Sequence, residues 1–227
     1  MDGRTQLARV HERGFAYPLA LVLSLILAPH ASEAGILREL TDSLHITSSA
    51  PKNKDGTSTF PRQGFACCDL HYDGDWVNDG NYSSLPMIAA GTPIEVLSYG
   101  RQRAYVKVDG KPMRLGHEFG RDQESLDDWV HKIVVDEDPK PRFLGYPAYI
   151  QQAIREGKVA VGMTREQVIA AVGHPRTDEN FSLDTPVWRF WLSKGQEYQV
   201  NWSQDGRVAS VTGDNVVTNL VLYRAAK

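Results

Sequence analysis

Toward the C-terminus, apolar and polar residues alternate in three short runs. In 186–192, Trp188, Phe190 and Leu192 share one side, and in 197–203 Tyr198, Val200 and Trp202 do the same, which is the period of two that a half-buried strand requires. A third run, 207–212, follows Gln204-Asp205-Gly206, a turn that closes a hairpin with the second. A final run, 216–223, reads as a strand that extends this sheet or returns toward the earlier part of the chain. Upstream the period becomes that of a helix. Residues 147–155 suit a first helix. A second is framed by Thr164 and Gln167, placed to cap each other's backbone N–H, with Val168, Ile169 and Val172 as its apolar stripe. Gly173 permits a left-handed helix end, and Pro175 prevents continuation. Burying each Val or Ile contributes roughly 1.5–3 kcal/mol, so this aliphatic and aromatic set is assigned to a core rather than to a cofactor.

The earlier part of the chain has a different rhythm. Residues 35–44 suit a short helix, and 47–62 is rich in Ser, Pro, Lys, Asn and Gly and reads as an exposed loop. Residues 65–72 suit a strand and 73–85 is turn-rich. Strands are then expected at 94–99, at 103–108 with Ala104, Val106 and Val108 on one face, and at 112–115 after an Asp109-Gly110 turn. Short strands joined by tight turns suggest a small barrel. Leu126, Trp129, Val130 and Ile133 then recur at helical intervals within 123–134, which predicts one helix packed on that barrel. The run 136–141, with three acids and two prolines, marks a solvated boundary between two folded regions.

The N-terminal residues change the setting. Arg4, Arg9 and Arg13 precede an apolar stretch from Phe15 to Ala28, and Ser32-Glu33-Ala34 places small residues where a signal peptidase reads them. The stretch is shorter than the roughly 20 residues of a comfortable membrane helix. The expectation is a cleaved signal peptide over 1–34, a flexible or partly helical leader over 35–64, and a periplasmic product, outer-membrane-associated or secreted, without an integral span. Its 25 Lys and Arg against 28 Asp and Glu, a net charge of −3, argue against nucleic acid as a partner.

Candidate chemistry is sparse. Cys67 and Cys68 are the chain's two cysteines; reduced thiols, a disulfide and a metal site with His71 all stay open at this point, although adjacent sulfurs alone do not make a four-ligand site. Asp73, Asp75 and Asp79 hold a cation or solvate a loop, Ser83 and Ser84 lie in a polar loop, His117 and His131 are far apart in sequence, and His174 reads as an exposed helix-end residue. No phosphate loop, HExxH motif or nucleophile elbow is present, so neither an enzyme nor a cofactor or metal site is expected. Asn81-Tyr82-Ser83 and Asn201-Trp202-Ser203 have the form of glycosylation acceptors. Tyr72, Trp76, Tyr82 and Tyr99 are the candidate binding residues, with barrel packing as their alternative role.

Two resemblances organise these readings. The segment Ile88-Ala89-Ala90-Gly91-Thr92-Pro93-Ile94-Glu95-Val96, followed by Ala104-Tyr105-Val106-Lys107-Val108, resembles the bacterial SH3-like domain, which implies a binding module over 65–139 and, in some families, contact with cell-wall material. Gly162-Met163-Thr164-Arg165-Glu166-Gln167-Val168, then Gly173-His174-Pro175, Trp188-Arg189-Phe190, Val200-Asn201-Trp202 and Asp205-Gly206-Arg207-Val208 resemble the SmpA/OmlA (BamE-like) family of outer-membrane assembly proteins. That resemblance implies two helices on a three-stranded antiparallel sheet over 146–227 and a non-enzymatic scaffold role. The chain departs from the family in lacking an N-terminal cysteine for lipidation and in carrying the SH3-like region. The expected fold class is α+β, and the expected function is binding or scaffolding in the cell envelope, with an envelope protein or cell-wall component as partner. The alternatives are an inhibitor of a secreted or periplasmic hydrolase, since the same architecture occurs in β-lactamase-inhibitory proteins, and a cell-envelope enzyme.

Overall fold

The structure is a computed structural model that describes residues 60–225, so the expected signal peptide at 1–34 and the leader up to residue 59 lie outside the described residues. The fold is α+β: an eight-stranded curled sheet, a half-barrel, followed by helices interspersed with a three-stranded antiparallel sheet. The first sheet uses β1 (Arg62–Ala66), β2 (Leu70–Asp73), β3 (Trp76–Asn78), β4 (Met87–Ile88), β5 (Pro93–Tyr99), β6 (Arg103–Val108), β7 (Lys111–Gly116) and β8 (Val134–Val135), in the order β4-β2-β3-β7-β6-β5-β1-β8. All its pairs are antiparallel except β3 with β7. Ala104, Val106 and Val108 face the core as their alternation predicts. The turn from β6 to β7 is made by Asp109 and Gly110, both at positive φ (48° and 78°), the pair of left-handed residues that a tight hairpin needs. Helix α1 (Leu126–Ile133) covers the sheet with Trp129, Val130 and Ile133, and Ser125 caps it by accepting from the Asp128 N–H.

The single strand expected at 65–72 is two strands. Cys67 and Cys68 are joined to each other, and the chain between β1 and β2 bonds outward, Cys67 N–H to the Ile133 carbonyl (3.0 Å) and Asp69 N–H to the Ala170 carbonyl (3.0 Å). Main-chain groups committed to those partners cannot continue a ladder.

The second half follows a short helix, α2 (Lys140–Phe143), and contains α3 (Ala148–Arg155), α4 (Arg165–Val172), β9 (Val187–Ser193), β10 (Gln196–Trp202), β11 (Val208–Gly213) and α5 (Asn215–Val221). Its sheet runs β11-β10-β9. Trp188, Phe190, Leu192, Tyr198, Val200 and Trp202 are all buried against the helices. The capping box forms, with Gln167 N–H donating to Thr164 Oγ1 (3.3 Å) and Thr164 N–H donating to Gln167 Oε1 (3.0 Å). Gly173 ends α4 at φ 80°, and a Cβ there would stand 2.2 Å from Asn81 Nδ2, so both backbone conformation and close approach call for glycine.

Two expectations for this half are corrected. Residues 216–223 do not form a strand: Asp214 caps the Val216 N–H (2.8 Å) and α5 buries Val217 and Val221, four apart, before Leu222 bridges to Val159. A local cap and one helical apolar face override the β-propensity of the valines. The stripe on α4 is also wider than Val168, Ile169 and Val172. Ala170 and Ala171 are buried as well, and half-buried Ile169 packs against both apolar cores, because α4 is enclosed between its own sheet and the half-barrel.

The described residues belong to one compact unit. Strand β9 is an edge, and the loop after β3 covers it, Ser83 N–H donating to the Trp191 carbonyl (3.2 Å) and Ser84 N–H to the Leu192 carbonyl (2.9 Å). Among the described residues no helix is long and apolar enough to cross a membrane.

Candidate functional site

The four predicted binding aromatics are all half-buried, and no ring contact joins any two of them among the described residues. Tyr72 and Tyr99 pack against the half-barrel core; Tyr99 also meets Phe60 edge-on at 5.2 Å, and burial, with Asp127 nearby, raises its pKa. Tyr82 lies beside Gly80 in the loop that reaches β9. Trp76 is different. Its ring lies directly on Gly116, where an added Cβ would clash at 2.0 Å, and the guanidinium carbons of Arg103 and Arg114 stand 5.3 and 4.9 Å from its centroid. The β-register makes this cluster: Trp76 is opposite Arg114 across β3 and β7, and Arg103 is opposite Gly116 across β6 and β7. Arg114 is held by Asp75 (Nε–Oδ2 2.7 Å), whereas Arg103 has no carboxylate partner among the described residues.

Immediately after Gly116 the chain enters a cleft of about 340 Å³ lined by Arg101, Gln102, His117, Arg121, Asp122 and Leu126. Arg101 and Arg121 are exposed and have no ion-pair partner among the described residues. Beneath them His117, 2% exposed, lies with Nδ1 2.9 Å from Asp79 Oδ2 and Nε2 3.1 Å from the Glu124 carbonyl, stacked on Trp129 at 5.2 Å. Asp79 also accepts from the N–H groups of Glu118, Phe119 and Gly120 at 2.8–3.2 Å. Burial works to raise the Asp79 pKa, but the His117 contact and these N–H groups outweigh it and hold the carboxyl below its ordinary value. The pair is a cross-tie that shapes the loop around the cleft. Sequence spacing concealed it, since Asp79 and His117 stand on separate segments.

The contact between the halves collects the remaining predicted polar residues. Asn81 accepts from His71 N–H (2.7 Å) and donates to the carbonyls of Val172 (2.8 Å) and Asp69 (3.2 Å). It thereby caps the C-terminus of α4 from the other half, and its amide is committed within the fold. Asn201 bonds Thr212 (3.0 Å) on the outer face of the small sheet. Asp69 is 1% exposed; one carboxyl oxygen accepts from Ala90 N–H (2.8 Å), the other has no partner, and burial pushes its pKa up to about 8 against the opposing effect of that bond. His71 is buried and its pKa is lowered by burial, partly offset by Asn81. His174 is not the exposed helix-end residue that the sequence suggests. It is half-buried, and desolvation of its ring, joined by the Lys132 ammonium, pushes its pKa down to about 3.

Asp73, Asp75 and Asp79 do not converge on a cation, since Asp75 pairs with Arg114 and Asp79 with His117. Among the described residues no three His, Cys, Asp or Glu side chains are grouped to hold a metal ion, and the alternatives left open for Cys67 and Cys68 resolve to a disulfide between them. Comparison with known proteins finds no matching family model, no similar curated protein and no similar solved structure.

Proposed function

We propose that the protein is a non-enzymatic binding or scaffold component of the cell envelope, periplasmic or associated with the outer membrane, in which an SH3-like region offers the recognition surface and an SmpA/OmlA-like module braces it. The observation that supports this reading is the juxtaposition of Trp76, with Arg103 and Arg114 at its ring, and the cleft carrying unpaired Arg101 and Arg121. An aromatic face beside uncommitted guanidinium groups suits a partner that combines a flat apolar or sugar surface with carboxylates. A carboxylate-bearing cell-wall fragment or an acidic segment of an envelope protein has that chemistry. The test is saturation binding of the full chain to soluble peptidoglycan fragments and to detergent-solubilised envelope, alongside Trp76→Ala and the double variant Arg101→Glu/Arg121→Glu. Each variant is expected to weaken binding at least about tenfold, through loss of one aromatic contact or of two guanidinium contacts, and salt is expected to weaken the parent. Absence of a saturable partner in both fractions rejects the reading.

A second reading, inhibition of a secreted or periplasmic hydrolase, has one observation in its favour. Phe181 is 82% exposed on the loop before β9, with Leu183 and Val187 also exposed. A stoichiometric inhibitor that inserts this loop is expected to lose inhibition in Phe181→Ala and to keep it in Trp76→Ala.

A further inference from the structure

The disulfide between Cys67 and Cys68 is the one covalent feature that the binding reading does not use. Its two cysteines differ in exposure, although both pack against the half-barrel core. Cys68 is 0% exposed and belongs to the half-barrel core, whereas Cys67 is half-buried and lines a cleft of about 450 Å³ with Val135, Asp136, Glu137, Asp138 and Pro139, and with Arg142. A nucleophile entering from solvent therefore reaches Cys67 and displaces Cys68. The cleft also has a charge. Asp136 pairs with Arg62 (3.3 Å) and Arg142 pairs with Glu166 (2.7 Å), which leaves Glu137 and Asp138 as lining carboxylates with no ion-pair partner among the described residues. Such a rim repels anions and concentrates cations at the reacting sulfur.

We propose that Cys67–Cys68 is a thiol-exchange site, entered through this acidic cleft and selective for neutral or cationic thiols over anionic ones. A small thiolate attacks Cys67 Sγ, the bond between the two cysteines breaks, and its electron pair leaves on Cys68 Sγ, which takes a proton from water. A second thiol then attacks the sulfur of the first within the mixed disulfide and releases Cys67 as a thiolate, which is protonated in turn. Two small thiols are oxidised to one disulfide, and the protein disulfide is reduced to two thiols.

The experiment follows reduction of the full chain, oxidised as purified, by cysteamine, 2-mercaptoethanol and 2-mercaptoethanesulfonate, with each rate expressed per thiolate present. The cationic thiol is expected to react about tenfold faster than the anionic one at low salt, with the gap closing as salt is added. Glu137→Gln is expected to narrow the gap without altering the fold, since Glu137 is exposed and unpaired. Pulse alkylation of the freshly reduced wild-type protein, mapped by mass spectrometry, is expected to label Cys67 before Cys68. Two free thiols in the protein as purified, equal per-thiolate rates for the three reagents, or earlier labelling of Cys68 would each overturn the proposal.

Discussion

Between β9 and β10, Trp188 meets Trp202 edge-on at 4.7 Å and Phe190 stacks with Tyr198 at 5.6 Å, so the C-terminal half is centred on apolar and aromatic packing. In the N-terminal half Asp69, His71, Asp79 and His117 are buried beside or within an apolar core; Asp69 accepts from the Ala90 N–H, Asp79 faces His117, and His71 is held through its backbone N–H by Asn81. Hydrophobic burial is non-directional and scales with the apolar area removed from water. A buried polar group is favourable only while each of its partners stays in place. The C-terminal half is therefore expected to lose stability in proportion to the volume removed, and the N-terminal half in proportion to the hydrogen bonds broken and the charge uncovered.

The strongest test of this contrast sets one residue from each half side by side. Trp188→Ala, at a side chain with 0% exposure, is expected to cost about 4 kcal/mol in denaturant titration. Asp79→Ala removes far less volume, yet it is expected to cost about 3 kcal/mol, because it strands His117 and three backbone donors. An Asp79→Ala cost near that of an ordinary small truncation, below about 1 kcal/mol, would break the contrast.

Variation of pH sharpens it next. The folded pKa of Asp69 lies above its unfolded value, so its contribution is present below about 3.8 and is lost as pH rises toward about 8. His174, and His71 in the same direction, have folded values below 6.5, so their contribution is full above 6.5 and is lost as pH falls toward about 3 for His174. The two limbs place maximal stability near pH 6.5. From there to pH 8 the Asp69 limb is expected to remove about 2 kcal/mol, at 1.36 kcal/mol per unit. Asp69→Asn keeps an oxygen for the Ala90 N–H and is expected to flatten that alkaline decline in thermal unfolding measured at successive pH values. The smallest effect belongs to the C-terminal half, where Thr164→Ala removes a cap whose partners are three residues away and is expected to cost about 1 kcal/mol by the same assay.

Much of the C-terminal half was legible because its signals are local. The Thr164–Gln167 box, the Gly173 stop and the hairpin through Asp205-Gly206 involve residues within a few positions of one another, and strand alternation brings Trp188 and Tyr198 to one face without reference to anything else. The strand at 103–108 and the Asp109-Gly110 turn were readable in the same way. The Trp76 site was legible only as a residue type. Its guanidinium neighbours Arg103 and Arg114 are brought to the ring by pairing among β3, β7 and β6, and no spacing in the chain announces that register. The Asp79–His117 tie and the bond from Asn81 to the Val172 carbonyl were not legible, since they join residues 38 and 91 positions apart whose approach is decided by packing.

By itself the chain determined which stretches form helices, hairpins and alternating strands, and where several of them stop, because caps, turns and periodicity act over one or two turns of backbone. The tertiary structure alone decided that α4 is enclosed on several sides, that His174 is desolvated, and that Cys67 lines a cleft while Cys68 is closed into the core. Exposure to water is a property of whatever packs against a residue. It sets pKa, accessibility to a thiol and the cost of an unpaired polar group, and no residue carries it in its own neighbourhood of the sequence.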